Sequence, residues 1–374
     1  MLYKKYGNTG ETVSAVGMGG MRFDMELPLE KSAELLHYAL EKGINYFDTA
    51  PQYHEGKSEE IFGIAFQQMP RDKFMVSTKL MPERITDAAD AYRKVCMSLE
   101  KMHVDYIDFF HVWCIRKMAH YDDAMRSDGL YEALLKAKSE GLIRHIVFSS
   151  HQQGDEVKKI IKTGKFEGVL LGVNILNFPY RWNGVKAACD SGMGVVAMNP
   201  LAGGLIPQNE AKLQFLAGKN ETPAEAALRF LIAAPEITVA LNGFSCREHI
   251  DTACKVADNA RPFTKAELKK VKDNLGEGAT SICTSCGYCD CCPKNIPIVK
   301  YMQIYNDRVL FKIPEDKLQE HMAFQHQWGL LAEDDSWAEA CIACGRCEKS
   351  CTQHLPIIER LKDLAKWEKP LNKK

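Results

Sequence analysis

Eight short apolar runs, each followed by a segment of helical character, fill the first 260 or so residues and leave few folds open. The runs are VSAVGMG (13–19), INYFDTA (44–50), FMVSTK (74–79), YIDFFHV (106–112), IRHIVFSS (143–150), GVLLGVN (168–174), GVVAMNP (194–200) and ITVALNG (237–243), about 25–45 residues apart. That spacing suits a strand plus a returning helix. Between runs, Tyr92, Val95, Cys96, Leu99 and Met102 fall on one face of a helix. Leu35, Leu36, Ala39 and Leu40 do the same, and Gly43 follows as a helix stop. Eight successive strand–helix units predict an α/β fold, a closed (β/α)8 TIM barrel. The competing fold is a doubly wound open sheet, which announces itself by G-x-G-x-x-G after its first strand. VGMGGMRF (16–23) is glycine-rich but has neither that spacing nor the later acidic residue.

The rhythm stops near Arg261–Pro262, so a barrel over 1–262 and a second domain over 263–374 are expected. A charged helix (264–275) and a glycine-containing hinge (276–281) would join them. A chain of 374 residues has room for both. Its net charge of −1 gives no reason to expect nucleic acid or a membrane surface as partner. No apolar run is long enough to span a bilayer, and MLYKKYGNTGETVSA has no secretory h-region. A cytoplasmic protein is the expectation.

Fourteen cysteines are many for such a protein, and nine of them form two tight groups. One reads CTSCGYCDCCP, with Cys283, Cys286 and Cys289 followed by Cys291 and Cys292; the other reads CIACGRCEKSC, with Cys341, Cys344, Cys347 and Cys351. Clustered cysteines in a long, unsecreted chain read as metal ligands before disulfides. Three cysteines at C-x2-C-x2-C wrap three corners of an iron–sulfur cube, and a fourth completes it. Structural zinc needs only four ligands, usually as two separated pairs, and these groups exceed that need. Two [4Fe–4S] clusters are therefore expected. Cys292, which precedes Pro293, is preferred over Cys291 as the fourth ligand of its group. In two-cluster ferredoxins the fourth cysteine serves the other cluster. That predicts one site on Cys283, Cys286, Cys289 and Cys351, and another on Cys341, Cys344, Cys347 and Cys292. The helical insert between the groups (297–328) points to an α-helical dicluster ferredoxin-like domain. Oxygen-sensitive clusters point to an anaerobic host.

Four residues sit at or just beyond the ends of successive strand candidates, where barrel active sites form: Asp48, Tyr53, Lys79 and His111. Singly, each has a plain structural use as a cap, packing ring, solvated amine or core histidine. Together they suit carbonyl chemistry. Reduction needs a hydride on carbon and a proton on oxygen. A tyrosine with a pKa near ~10 is a poor proton partner at neutral pH unless a cation favours its phenolate. Lys79 would supply that cation, Asp48 would hold Lys79, and His111 would orient the substrate oxygen. Tyr53 would then be the general acid in reduction and base in oxidation.

In order and spacing, Asp48, Tyr53 within DTAPQYHEGKSEEIFG, Lys79 in STK and His111 in IDFFHVW resemble the catalytic tetrad of the aldo-keto reductases, over about residues 1–260. The cysteine pattern, with CTSCGYC and CIACGRC, resembles the ferredoxin-fused branch of that family. The resemblance implies NADP(H) or NAD(H), bound without a Rossmann domain. It puts Gly20 and Met21 after the first strand, and Ser149 and Ser150 at the fifth strand's end. Met198 takes the place of the aromatic that stacks on nicotinamide, and Asn199, Pro200, Leu201 and Gly203 form the pyrophosphate-side loop. The match departs where the family has asparagine and glutamine, here Ser150 and Val173. It departs again at the 2′-phosphate clamp, here Gly243, His249 and Ala253, which leaves Arg247 or Lys255 as the cations.

The expected function is an oxidoreductase acting on a small carbonyl or alcohol, with the clusters carrying electrons to or from a ferredoxin or another redox protein. Nicotinamides move electrons in pairs and clusters move them singly, so a flavin is the usual bridge. Two other readings stand beside it: an NAD(P)H carbonyl reductase with structural or sensing clusters, and a non-catalytic electron-transfer or regulatory subunit.

Overall fold

The computed structural model describes the chain apart from residues 117, 153, 276–280, 285, 328–330, 333–335 and 369–374. It divides into two compact units, one of 1–201 with 216–268, the other of 202–215 with 269–374. Most of the hinge expected at 276–281 lies outside the described residues.

The first unit opens with a short antiparallel hairpin, β1 (Tyr3–Lys5) and β2 (Thr12–Ser14). Eight parallel strands follow: β3 (Val16–Gly19), β4 (Tyr46–Asp48), β5 (Met75–Leu80), β6 (Ile107–Ile115), β7 (Ile143–Ser150), β8 (Gly168–Gly172), β9 (Gly194–Met198) and β10 (Val239–Gly243). They pair in sequence, and β10 closes on β3. Each of the eight apolar runs supplies one strand. The first run splits, because Ser14 turns its hydroxyl onto the Val16 carbonyl and its N–H onto Asn45, ending β2 before β3 begins.

Inside the barrel, Tyr6, Tyr46, Phe109, Val147, Leu170, Val196 and Val239 form one cluster. Tyr6 stacks on Phe109 at 4.1 Å between centroids. Its ring lies against Gly168 and Gly194, the first residues of β8 and β9, where a Cβ would come within 2.6 and 2.2 Å of it. Tyr6 thus stoppers the N-terminal end of the barrel. The opposite, C-terminal end is where strand-end side chains can meet a ligand.

The second unit is helical. Helices Ile298–Phe311, Glu315–Gln327 and Ile357–Glu368 share a core of Ile298, Tyr301, Met302, Leu318, Met322, Leu361 and Leu364. Residues 202–215, inside the stretch expected to be barrel, group with this unit, where Lys212 sits 4.3 Å from the Phe311 ring. Among the described residues no helix is long and apolar enough to cross a membrane.

Candidate functional site

Strand register assembles the first site. Ser77 and Lys79 are two apart on β5 and so face the same side. Parallel pairing sets Asp48 of β4 opposite Ser77, and His111 of β6 opposite Lys79. All four side chains are buried. Lys79 Nζ donates to Asp48 Oδ1 at 2.5 Å and to the Thr49 carbonyl at 2.6 Å. Ser77 Oγ donates to Asp48 Oδ2 at 2.7 Å and lies 2.9 Å from His111 Nε2. A hydroxyl has one proton, and here the carboxylate receives it. The imidazole is therefore the donor to Ser77, as its Nε2–H tautomer. Burial pushes His111 down to about 4, against the pull of Asp48, so the ring is neutral at pH 7. Its Nε2 is engaged with Ser77.

Tyr53 follows β4 in a tight turn, its N–H donating to the Ala50 carbonyl at 3.1 Å. His54 and Glu55 then take left-handed φ angles of 50° and 57°, a costly conformation that the surrounding fold enforces. The Tyr53 ring lies 5.0 Å from Lys79 Nζ and meets Trp113 edge-on with centroids 5.7 Å apart. Tyr53 is half-buried, while Asp48, Lys79 and His111 are closed to water. Burial raises the phenol above its ordinary value, and Lys79 opposes this without overcoming it. The net lowering expected from Lys79 alone is thus outweighed by desolvation. Lys79 also suffers from burial, but Asp48 and Tyr53 more than restore its charge and lift it above its ordinary value.

One participant, Ser77, is not singled out by sequence, whereas Trp113 and Cys114, just after His111, stand out there as candidate pocket residues with ordinary packing as the plainer role. Ser77 joins Asp48 to His111, but a serine inside a strand carries no signal until the register is known. Trp113 belongs to β6, which runs four residues past His111 and bulges between Val112 and Ile115. Cys114 takes a φ of 61° there, and its N–H donates to Ser149 Oγ at 2.8 Å.

The expected nucleotide contacts are spread along the strand ends. Gly20 follows β3, with its N–H on the Asp48 carbonyl at 2.8 Å and its carbonyl accepting from Ser58. Met21 is exposed. Ser149 and Ser150 end β7, and the Ser150 hydroxyl donates to the Ile115 carbonyl at 2.8 Å, tying β7 to β6. Met198 ends β9, Asn199 has a φ of 65°, and Pro200 and Leu201 follow within the first unit. Gly203, with a φ of 71°, falls in the second unit. Of the two cations considered for a 2′-phosphate, Lys255 is paired with Glu225 at 3.0 Å, and Arg247 lies over the Tyr38 ring at 4.8 Å. Arg22, unmarked in the sequence, covers Gly243: its Cγ lies 2.4 Å from where a Cβ would stand.

In the second unit the cysteines line two hollows. Cys283, Cys286, Cys289 and Cys351 line one. Cys292, Cys341, Cys344 and Cys347 line the other. Cys291 is exposed, with its Sγ 3.8 Å from Ser350 Oγ, and lines neither. Gly287 and Gly345 each follow the second cysteine of their group with φ angles of 77° and 74°. This left-handed step turns the chain so that the third cysteine comes back toward the first two. Asn306 clasps Cys283, accepting from its N–H at 2.7 Å and donating to its carbonyl at 2.8 Å. The Leu355 N–H points at Cys351 Sγ, 3.4 Å away. Among the described residues no three His, Cys, Asp or Glu side chains are drawn together around a point that would hold a single metal ion.

Residues 15–275 match the model of the aldo/keto reductase family. The chain is 26% identical to an uncharacterized oxidoreductase of Bacillus subtilis, YqkF, over 73% of this chain and 96% of that protein. It is 26% identical to the NADH-specific methylglyoxal reductase of Escherichia coli, over 54% of this chain and 67% of the enzyme. The holo form of aldo-keto reductase AKR11C1 from Bacillus halodurans superposes with a TM-score of 0.62 at 25% identity, covering 74% of this chain and 97% of that one.

Proposed function

Because the chain belongs to the aldo/keto reductase family, we propose that it reduces a small carbonyl, or oxidises the corresponding alcohol, with Tyr53 as the proton-transferring group. The observation that carries this reading is the buried Lys79–Asp48 pair against the half-buried Tyr53 ring. The raised phenol is fully protonated at neutral pH, as a proton donor to a carbonyl oxygen must be. In the oxidative direction, Lys79 is the charge that stabilises the phenolate. Asp48 fixes Lys79 and keeps it protonated. Ser77 occupies the second carboxylate oxygen, so Asp48 does not compete for the phenol. A neutral His111 closes this chain without adding a second cation beside Lys79.

NADP(H) or NAD(H) fits the strand-end donor set, and when bound supplies or accepts the hydride. Ser149 can meet its carboxamide, since that hydroxyl accepts from Cys114 and keeps its own proton to donate. Gly20, Met21, Met198, Asn199, Pro200 and Leu201 are the remaining proposed contacts, with Ser150 as a strand tie beside them. Arg22 is the cation nearest the empty side-chain position of Gly243.

Two [4Fe–4S] clusters fit the cysteine hollows, each with four thiolates, one per corner of a cube. Cys283, Cys286, Cys289 and Cys351 would hold one; Cys292, Cys341, Cys344 and Cys347 would hold the other. Such clusters exchange single electrons, which links the reductase to a ferredoxin or another one-electron carrier.

The test is a screen of small carbonyls with NADPH and NADH, on anaerobically prepared protein and on Tyr53→Phe. Loss of about 10²–10⁴-fold in turnover, with the fold intact, is expected. Undiminished turnover in Tyr53→Phe refutes the assigned role. Iron and sulfide analysis of the same protein should return about four of each per cysteine quartet.

A further inference from the structure

We propose that Arg360 is the counter-charge of the cluster held by Cys283, Cys286, Cys289 and Cys351, and that it raises that cluster's reduction potential above what burial alone would give. The inference rests on the two-cluster reading.

Arg360 lies on the helix Ile357–Glu368, whose first residue lines the same hollow as these four cysteines. Its side chain is only 4% exposed. One amino group donates to the Ser281 carbonyl at 2.6 Å, two residues before Cys283. The guanidinium lies 4.6 Å from the Tyr305 ring, next to the Asn306 that clasps Cys283. The other amino nitrogen, Nη1, is buried without a hydrogen-bond partner. Among the described residues no carboxylate stands within ion-pair distance of this buried cation. A buried charge is costly unless something compensates it. Tyr305, Cys283, Cys351 and Glu359 lie within its electrostatic reach, and the two cysteines become thiolates when they ligate a cluster.

The two hollows differ in this respect. Around the first, Cys283, Cys289 and Cys351 are all buried. Around the second, Cys344 is exposed, and so is Arg346, the basic residue in its lining. An exposed cation is screened by water and salt and counts for little. Each cluster gains one negative charge when it takes an electron from a donor such as dithionite. Burial opposes that gain at the first site, and a fixed unscreened cation offsets it. Charge, hydrogen bonds and exposure are what set such potentials.

A plain structural role is the competing explanation: Arg360 merely pins Ser281 and Tyr305. Potentiometric EPR titration of the full chain separates the two, with each cluster's signal assigned by its change in Cys286→Ser and Cys344→Ser proteins. In Arg360→Gln, the midpoint of the Cys286-dependent signal should fall enough to change its oxidised-to-reduced ratio at least tenfold, about 59 mV. The Cys344-dependent signal should stay where it was. Full iron content with unshifted midpoints overturns the proposal. Should Arg360→Gln lose iron, its reconstituted form is compared with Arg360→Lys: a lower midpoint in the uncharged variant than in the charged one supports the proposal, and equal midpoints overturn it. Wild-type protein that binds no iron–sulfur cluster overturns the two-cluster reading itself, a separate result from an unshifted midpoint.

Discussion

Replacing Lys79 by methionine shortens the side chain by one heavy atom and removes its charge together with its hydrogen bonds to Asp48 and the Thr49 carbonyl. The structure sets the size of the effect. Lys79 and Asp48 are 0% and 2% exposed, and among the described residues their 2.5 Å contact is the carboxylate's only ion pair with a lysine or arginine. In the variant, Asp48 keeps Ser77 as a donor and loses its cation. Removing one partner of a buried pair typically costs about 3–5 kcal/mol, because the other charge is stranded. For a barrel of this size that lowers the melting temperature by roughly 6–20 °C at pH 7. Calorimetry reads the loss, and hydrogen exchange of peptides from β4 and β5 assigns it to the barrel. The stranded carboxylate should take up a proton, so the gap between variant and wild type should narrow as pH falls. In the wild type, the Lys79 value is raised above 10.5. Its contribution is therefore complete at neutral pH and is lost only as alkali passes the raised value. A cost below about 1 kcal/mol, or a gap that is the same at pH 5 and pH 8, would refute the view that the pair is buried and mutually dependent.

Other consequences can be measured on the same preparations. His111 is lowered to about 4, so the folded state binds fewer protons than the unfolded state below pH 6.5, and stability falls as pH drops from 6.5 to 4. Denaturation across that window should be shallower for His111→Gln than for the wild type; parallel curves would place the acid loss elsewhere. Ser77→Ala removes one donor from Asp48 and one acceptor from His111, and should cost about 1–3 kcal/mol in urea denaturation. An unchanged midpoint would mean that neither contact matters. Gly194→Ala puts a methyl within 2.2 Å of the Tyr6 ring and should destabilise the barrel by about 1–3 kcal/mol through overpacking. Retained stability would show that Tyr6 can move aside.

Much of the barrel is legible in the chain, because a buried parallel strand leaves an apolar run and the helices between leave a period. Asp48, Lys79 and His111 can be named because charged residues ending apolar runs are conspicuous. Ser77 is not conspicuous: its role comes from lying opposite Asp48, and register is a property of two strands. The extent of β6 is hidden by its bulge, which carries Trp113 and Cys114 beyond the apparent strand end. The direction of Tyr53's shift is hidden in the sequence for a related reason. Sequence shows the neighbouring cation but not how much water the fold removes, and here desolvation is the larger effect. The association of residues 202–215 with the helical unit has no local signal either, since it rests on contacts such as Lys212 on Phe311. In the cysteine region, spacing alone suggests which thiols work together. Arg360 looks like any basic residue on an amphipathic helix until its burial is seen.

The most direct test of the coupled oxidoreductase is the EPR spectrum of anaerobically purified, cluster-loaded protein before and after NADPH or NADH, with bound flavin assayed in the same sample. The account predicts that a reduced-cluster signal appears on adding the nucleotide. No signal, in protein whose clusters dithionite does reduce, would contradict it and leave the clusters serving another donor.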